Sequence, residues 1–158
     1  MRRILIVLGL VAALTVPAWA IIGKENIVRN GTAMLWPLAP RDPRSLMQGD
    51  FMRLDYAMAR TIAKQVVGHV GDGIAIVRID KNSVATLVRI DAEGALKGHE
   101  HRLAFRKRGR SVRLSSHAFF FEEGTAKRYA TARFGAFRVS EAGVAVLIAL
   151  HDEDRVRL

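Results

Sequence analysis

Cysteine is absent from this chain, which excludes disulfide bridges and thiolate metal sites. An oxidising compartment stays open, because a domain of this size folds without covalent staples. Proline is scarce, and three of the four, Pro37, Pro40 and Pro43, crowd a single segment. No internal repeat of solenoid or propeller length is visible, and no segment is low in complexity. A Gly-rich phosphate loop, a dinucleotide fingerprint and a zinc-protease helix motif are all missing. Acidic residues are few, 15 against 25 basic ones, for a formal charge of +10. Removing Arg2 and Arg3 leaves +8, so the excess belongs to the rest of the chain. That balance suits anionic lipid head groups or an acidic partner, and equally a solvated arginine surface. No nucleic-acid-binding motif accompanies it, so nucleic acid is not an expected partner.

What is present begins with charge patterning. Met1-Arg2-Arg3 is followed by Ile4 to Ile22, a run without a charged residue. Its length just spans a hydrocarbon core of about 30 Å. The arginines stay cytoplasmic, which puts the rest of the chain across the membrane. Pro17-Ala18-Trp19-Ala20 is compatible with the small-x-small end of a cleavable secretory signal. Ile21-Ile22 extends the apolar run, Trp19 suits an interface and Lys24 makes a stop, which favours an uncleaved single anchor. The expected organisation is an anchor over residues 1–23 and one extracytoplasmic domain over residues 24–158.

Half the residues are apolar, enough for one modest core. Ile27 to Leu38 reads as a first extended segment, stopped by Pro37 and Pro40. Phe51 to Met58 alternates, with Met52, Leu54, Tyr56 and Met58 on one face and Arg53 and Asp55 on the other. Phe51 falls on the mostly polar side, as cover where the strand begins. Thr61 to Val70 is ambiguous, and Gly71-Asp72-Gly73 is a turn. Ile74 to Ile79 and Val84 to Ile90 flank Asp80-Lys81-Asn82-Ser83 as a hairpin. Leu103 to Arg106 and Ser111 to Leu114 form a second hairpin with a basic tip. Ala118 to Phe121 is a short strand. Thr125 to Phe134 reads as the one helix of the domain, capped by Thr125 and ended by Gly135. Phe137 to Val139 returns as strand. Val144 to Leu150 is apolar throughout and therefore expected to be central and covered on both faces. His151 to Leu158 is a charged, exposed tail. The fold class is mainly β, a β-rich α+β domain. Its antiparallel sheet is barrel-like or bent, with one packed helix, after an N-terminal transmembrane helix.

Candidate chemistry is sparse. Asp50 after Gly49 either receives an arginine such as Arg44 or binds the backbone amides of its own turn. Tyr56 is expected in the core, its hydroxyl reaching one polar partner. Glu122 and Glu123 point to opposite faces of an extended chain and precede a helix start, where negative charge is favourable. His99 and His101 share a face but lack a third ligand at a characteristic interval, so no metal or other cofactor is expected. Arg102, Arg106, Lys107, Arg108, Arg110 and Arg113 form the densest basic cluster, opposed locally only by Glu100. Ser45 with Lys64 or Lys107 would be needed for a Ser/Lys hydrolase. The layout is loosely similar to that of bacterial signal peptidases, but Ser45-Leu46-Met47-Gln48 lacks their motif.

Gly49-Asp50-Phe51-x-x-Leu54-x-Tyr56 resembles the signature of the GDYXXLXY family, with Phe51 where the family has tyrosine. The resemblance extends to Asp42-Pro43-Arg44 and to Phe120-Phe121-Glu122-Glu123-Gly124-Thr125-Ala126. It continues through Tyr129, Ala132-Arg133-Phe134-Gly135 and Phe137-Arg138-Val139. It implies a bacterial envelope protein with one membrane anchor, sometimes encoded near multi-spanning membrane proteins, and it carries no established catalytic residues. The residues singled out for interaction are Asp42, Arg44, Gly49, Asp50, Phe51, Leu54, Tyr56, Glu123, Gly124 and Arg133, with a fixed contact expected from Glu123 to Arg128 or Arg133. The expected partners are the bilayer and an integral membrane protein at the bacterial inner membrane, with the domain periplasmic. An anchored hydrolase and an anionic lipid- or polymer-binding module are the alternatives.

Overall fold

The computed structural model describes residues 2–39, 51–68, 71–90 and 95–158. Helix α1 runs without a break from Arg2 to Asn30, through Pro17. Its apolar residues surround the whole circumference, and Gly9–Asn30 is long and apolar enough to cross a membrane. Proline is tolerated in such a helix, where local adjustment satisfies the freed carbonyl. Residues 27–30, expected as extended chain, are the last turn of α1. A helix already nucleated propagates cheaply, and Arg29–Glu25 at 2.6 Å and Asn30–Asn26 at 2.5 Å close that turn at i,i+4 spacing.

Gly31 alone separates α1 from strand β1 (Thr32–Pro37). A Cβ there would lie 2.5 Å from the Ile27 carbonyl oxygen and 3.0 Å from that of Val139, so only glycine lets the chain pass. The Gly31 N–H donates to Ile27 O at 2.9 Å, and Arg138 donates to Gly31 O at 3.0 Å. Helix α1 also rests against strands β8 (Phe134–Val139) and β9 (Ala145–His151). Helix α1 and the strands that follow it are therefore joined by more than one peptide bond.

The domain has two main antiparallel sheets. One has the order β1-β8-β9. The other is β4 (Ala85–Ile90), β3 (Asp72–Ile79), β5 (Glu100–Arg108) and β6 (Ser111–Arg113), in that spatial order. Register shifts at Ile76/Val77 and Ala136/Phe137 bend both sheets. Their edges meet along two seams. At the first, Leu35 N–H donates to Ser83 O at 2.7 Å. At the second, Ala104 N–H donates to Gly143 O at 2.9 Å and Ser115 Oγ to Ala145 O at 2.9 Å. The result is barrel-like. A third pair, β2 (Phe51–Arg53) with β7 (Ala118–Phe120), is a separate two-stranded ribbon.

Helix α2 (Ala57–Gln65) packs against β1, β4 and β6 and so bridges the two sheets. This is the packed helix of the fold, and it replaces the strand expected to reach Met58. The alternation holds only through Tyr56. Beyond it Met58, Ala59, Ile62 and Val66 are buried at helical spacing. The helix expected over 125–134 shrinks to the single turn α3 (Ala126–Tyr129). Thr125 does not cap it; its Oγ1 donates to Glu122 O at 2.6 Å. Phe134 and Gly135 belong to β8, which is paired along both edges, by β1 and by β9. Two ladders outweigh one more turn of helix.

Other expectations are adjusted similarly. Both hairpins form, but β3 begins at Asp72, so Gly71 alone is left of the expected turn. Strand β9 is an edge of its hydrogen-bonded sheet rather than central, with α1 supplying cover. The tail folds back: Leu158 N–H donates to Leu150 O at 2.9 Å, and Leu158 packs against the core.

The second seam gives a direct test. Gly143 has φ +85°, and a Cβ would stand 2.6 Å from Ala104 N. Gly143→Ala should cost about 1–3 kcal/mol from the left-handed backbone alone, with further loss from the clash. Circular dichroism melting of the detergent-solubilised chain should show a lowered Tm. An unchanged Tm would mean that the seam is not where the sheets are held.

Candidate functional site

The signature divides between core and surface. Leu54 and Tyr56 are buried. The Leu54 N–H donates to His117 O at 2.8 Å. The Tyr56 ring stands edge-on to both Trp36 and Phe137, each centroid 5.6 Å away. Its hydroxyl donates to Ser116 O at 2.6 Å, the single polar partner expected. Burial pushes the phenol above its ordinary range, so Tyr56 stays neutral and structural.

Phe51 faces the other way. It is 41% exposed, and its partner across the ribbon is Phe120, 74% exposed, with ring centroids 5.8 Å apart. On the opposite side of β7, Phe119 and Phe121 cluster with Tyr129 at 5.1 and 5.2 Å. The ribbon thus half-buries one aromatic face and offers the other to its surroundings. Alternation alone assigned Phe51 a covering role and left Phe120 unremarked. The in-out-in pattern of Phe119, Phe120 and Phe121 was the available signal.

Asp42, Arg44, Gly49 and Asp50, together with Ser45, lie outside the described residues. Glu123 is exposed and Gly124 takes φ +84° in the turn after β7. Among the described residues no ion pair joins Glu123 to Arg128 or Arg133. Arg133 acts through its backbone, donating to His151 O at 2.8 Å and accepting from Leu38 N–H at 2.8 Å. That ties β1 to the end of β9. Lys107 Nζ donates to Val66 O at 2.7 Å, tying β5 to the end of α2. Among the described residues no three His, Asp or Glu side chains gather as a metal site.

Glu100, at the head of β5, pairs outside the basic cluster, with arginines of β3 and β4. Glu100, 4% exposed, is the one buried charged residue among those described. It accepts from Arg89 Nη1 at 2.9 Å and Lys97 N–H at 3.1 Å, with Arg78 at 3.5 Å. The bond from Arg89 is the chief reason its carboxyl sits below the usual range. Asp72 pairs instead with Arg108 at 3.3 Å and Arg106 at 3.7 Å. It faces a cleft of about 770 Å³ that is also lined by Arg113 and by Lys24 of α1. Sequence reading placed Asp72 in a turn. Its meeting with Arg106 depends on the β3–β5 register, which no local pattern encodes.

These features define a β-rich, barrel-like domain carried on a helix long and apolar enough to span a membrane. The GDYXXLXY protein family matches residues 13–150, and the chain belongs to that family. No curated protein and no solved structure matches the chain.

Glu100 yields a pH test. A carboxyl depressed in the folded state stabilises the fold above its unfolded value, and that contribution is lost as pH falls through the folded value. The ordinary value is 4.5. Wild-type Tm should therefore drop on acidification below about pH 5, while Glu100→Gln, already lacking the charge, should show a shallower acid limb. Parallel limbs would remove Glu100 from the acid response.

Proposed function

We propose that the chain is a single-pass protein of the bacterial inner membrane. Its periplasmic domain, residues 24–158, binds and stabilises an integral membrane protein without catalysing a reaction. The observation that carries this reading is the exposed Phe51–Phe120 pair on a ribbon separate from both main sheets. Aromatic rings are enriched at protein interfaces, where they bury large area at small entropic cost. The substitution of phenylalanine for the family tyrosine fits a contact made through the ring rather than the hydroxyl.

Helix α1 supports this placement. Arg2-Arg3 marks the cytoplasmic end by the charge rule. The helix is continuous from Arg2 through Pro17 to Asn30 and presents no extended stretch near Ala20, which favours an uncleaved anchor. The hydrolase alternative draws nothing from Lys107, whose ammonium is already committed to Val66 O.

A photo-crosslinking residue at position 120, in the full-length protein in native membranes, tests the reading. It should form one discrete adduct with a membrane protein, and Phe51→Ala should reduce the yield roughly tenfold or more, as for a central interface residue. The same probe at Val88, exposed on β4, should form no such adduct. Equal, diffuse labelling from both positions would rule out the ribbon as the docking surface.

A further inference from the structure

The cleft beside α1 has a charge pattern that the domain does not neutralise by itself. Arg106 stands directly opposite Arg113 across the β5–β6 ladder, and opposite Asp72 across β3–β5. Like charges in direct register repel. Among the described residues the one acidic residue lining the cleft, Asp72, is shared between Arg106 and Arg108. Arg113 and Lys24 form no ion pair among the described residues. Among the described residues four cations therefore converge on a space containing one carboxylate. Both lining serines are engaged, Ser115 Oγ donating to Ala145 O at 2.9 Å and Ser116 Oγ to Ala118 O at 2.6 Å, while His117 also lines the cleft. The arginines bring to it charge and the forked geometry of guanidinium, which matches phosphate.

The cleft's position narrows the ligand further. Lys24 is the first charged residue after the uncharged run Ile4 to Ile22. A residue in that position lies where hydrocarbon gives way to head groups. Its side chain lines the same cleft as Arg106, Arg108 and Arg113. The cations are thus held at the height of the lipid phosphates, on the side of the membrane where α1 emerges.

We propose that the cleft between α1 and the β3–β5–β6 face binds the phosphodiester headgroup of an anionic phospholipid in that leaflet. The inference shares the membrane placement argued above but does not depend on the ribbon or its partner. The headgroup phosphate enters between Arg106 and Arg113 and relieves their repulsion, while Lys24 closes the membrane side. Asp72 competes with it for Arg106 and Arg108.

Full-length protein in uncharged detergent would be titrated with dioctanoyl phosphatidylglycerol, dioctanoyl phosphatidylcholine and glycerol phosphate, with Kd read by calorimetry. Phosphatidylglycerol should bind about tenfold or more tightly than phosphatidylcholine, and glycerol phosphate should bind weakly. Arg106→Gln/Arg113→Gln should weaken phosphatidylglycerol binding by about 10- to 30-fold, in line with two charges at a membrane surface. Arg128→Gln/Arg133→Gln, with the same loss of charge elsewhere, should leave it unchanged. Asp72→Asn should tighten it, a gain that a misfolded variant would not show. Phe51→Ala should have no effect, which separates this result from the fate of the ribbon reading. Equal binding of both phospholipids, or an equal loss from both arginine pairs, would overturn the proposal. Glycerol phosphate matching phosphatidylglycerol would reassign the cleft to a soluble phosphate and equally overturn it.

Discussion

The domain depends on one ring stack. Trp36 of β1 lies 3.8 Å from Phe137 of β8, nearly parallel, and Tyr56 stands edge-on to both. The three rings come from β1, from β8 and from the segment between β2 and α2, so they join parts of the chain far apart in sequence. Aromatic pairs in these geometries add about 0.5–1.5 kcal/mol beyond the area they bury. Gly135 makes the stack possible, since a Cβ there would come within 2.8 Å of the Phe137 ring. Tyr56 extends the tie to Ser116, and from there the chain runs into β7 of the ribbon. The family signature is thus partly an instruction for this stack. Leu54 and Tyr56 turn inward, and the alternation that buries them forces Phe51 out.

The same arithmetic explains what could be read from residues alone. Runs of β-branched residues around Asp80-Lys81-Asn82-Ser83 revealed the first hairpin, and Asp80 Oδ1 accepts the Asn82 and Val84 N–H groups at 2.8 Å to hold its turn. The inward face of 52–56 was legible because period two is unambiguous over that stretch. Met58 satisfies both periods, as the end of an alternating strand and as the start of the stripe Met58, Ile62, Val66. That ambiguity hid α2. The segment 125–134 failed for a different reason. Its helical spacing is real, but β8 gains two neighbours if it begins at Phe134, and such long-range pairing leaves no local mark.

The candidate surfaces were less legible than the fold. Phe120, Asp72 and Lys24 matter through what they meet across space: Phe51, two arginines of β5, and a cleft on the barrel wall. Each is ordinary in its own sequence neighbourhood. Register and the direction of α1 create the juxtapositions. The Gly31 junction, the Arg138 bond to Gly31 O and the packing of α1 on β8 and β9 all act on that direction. Without them the ribbon and the cleft would wander relative to α1, and neither proposed contact would be selective.

The central claim is therefore that anchor and barrel move as one body. The natural absence of cysteine permits a clean test: Asn26→Cys on α1 and Lys81→Cys in the β3–β4 turn, both exposed, carry paired spin labels on the full-length protein in lipid nanodiscs. A pulsed electron–electron distance measurement should return one narrow distribution. A broad distribution, or several distances of comparable weight, would show a tethered domain and contradict the account.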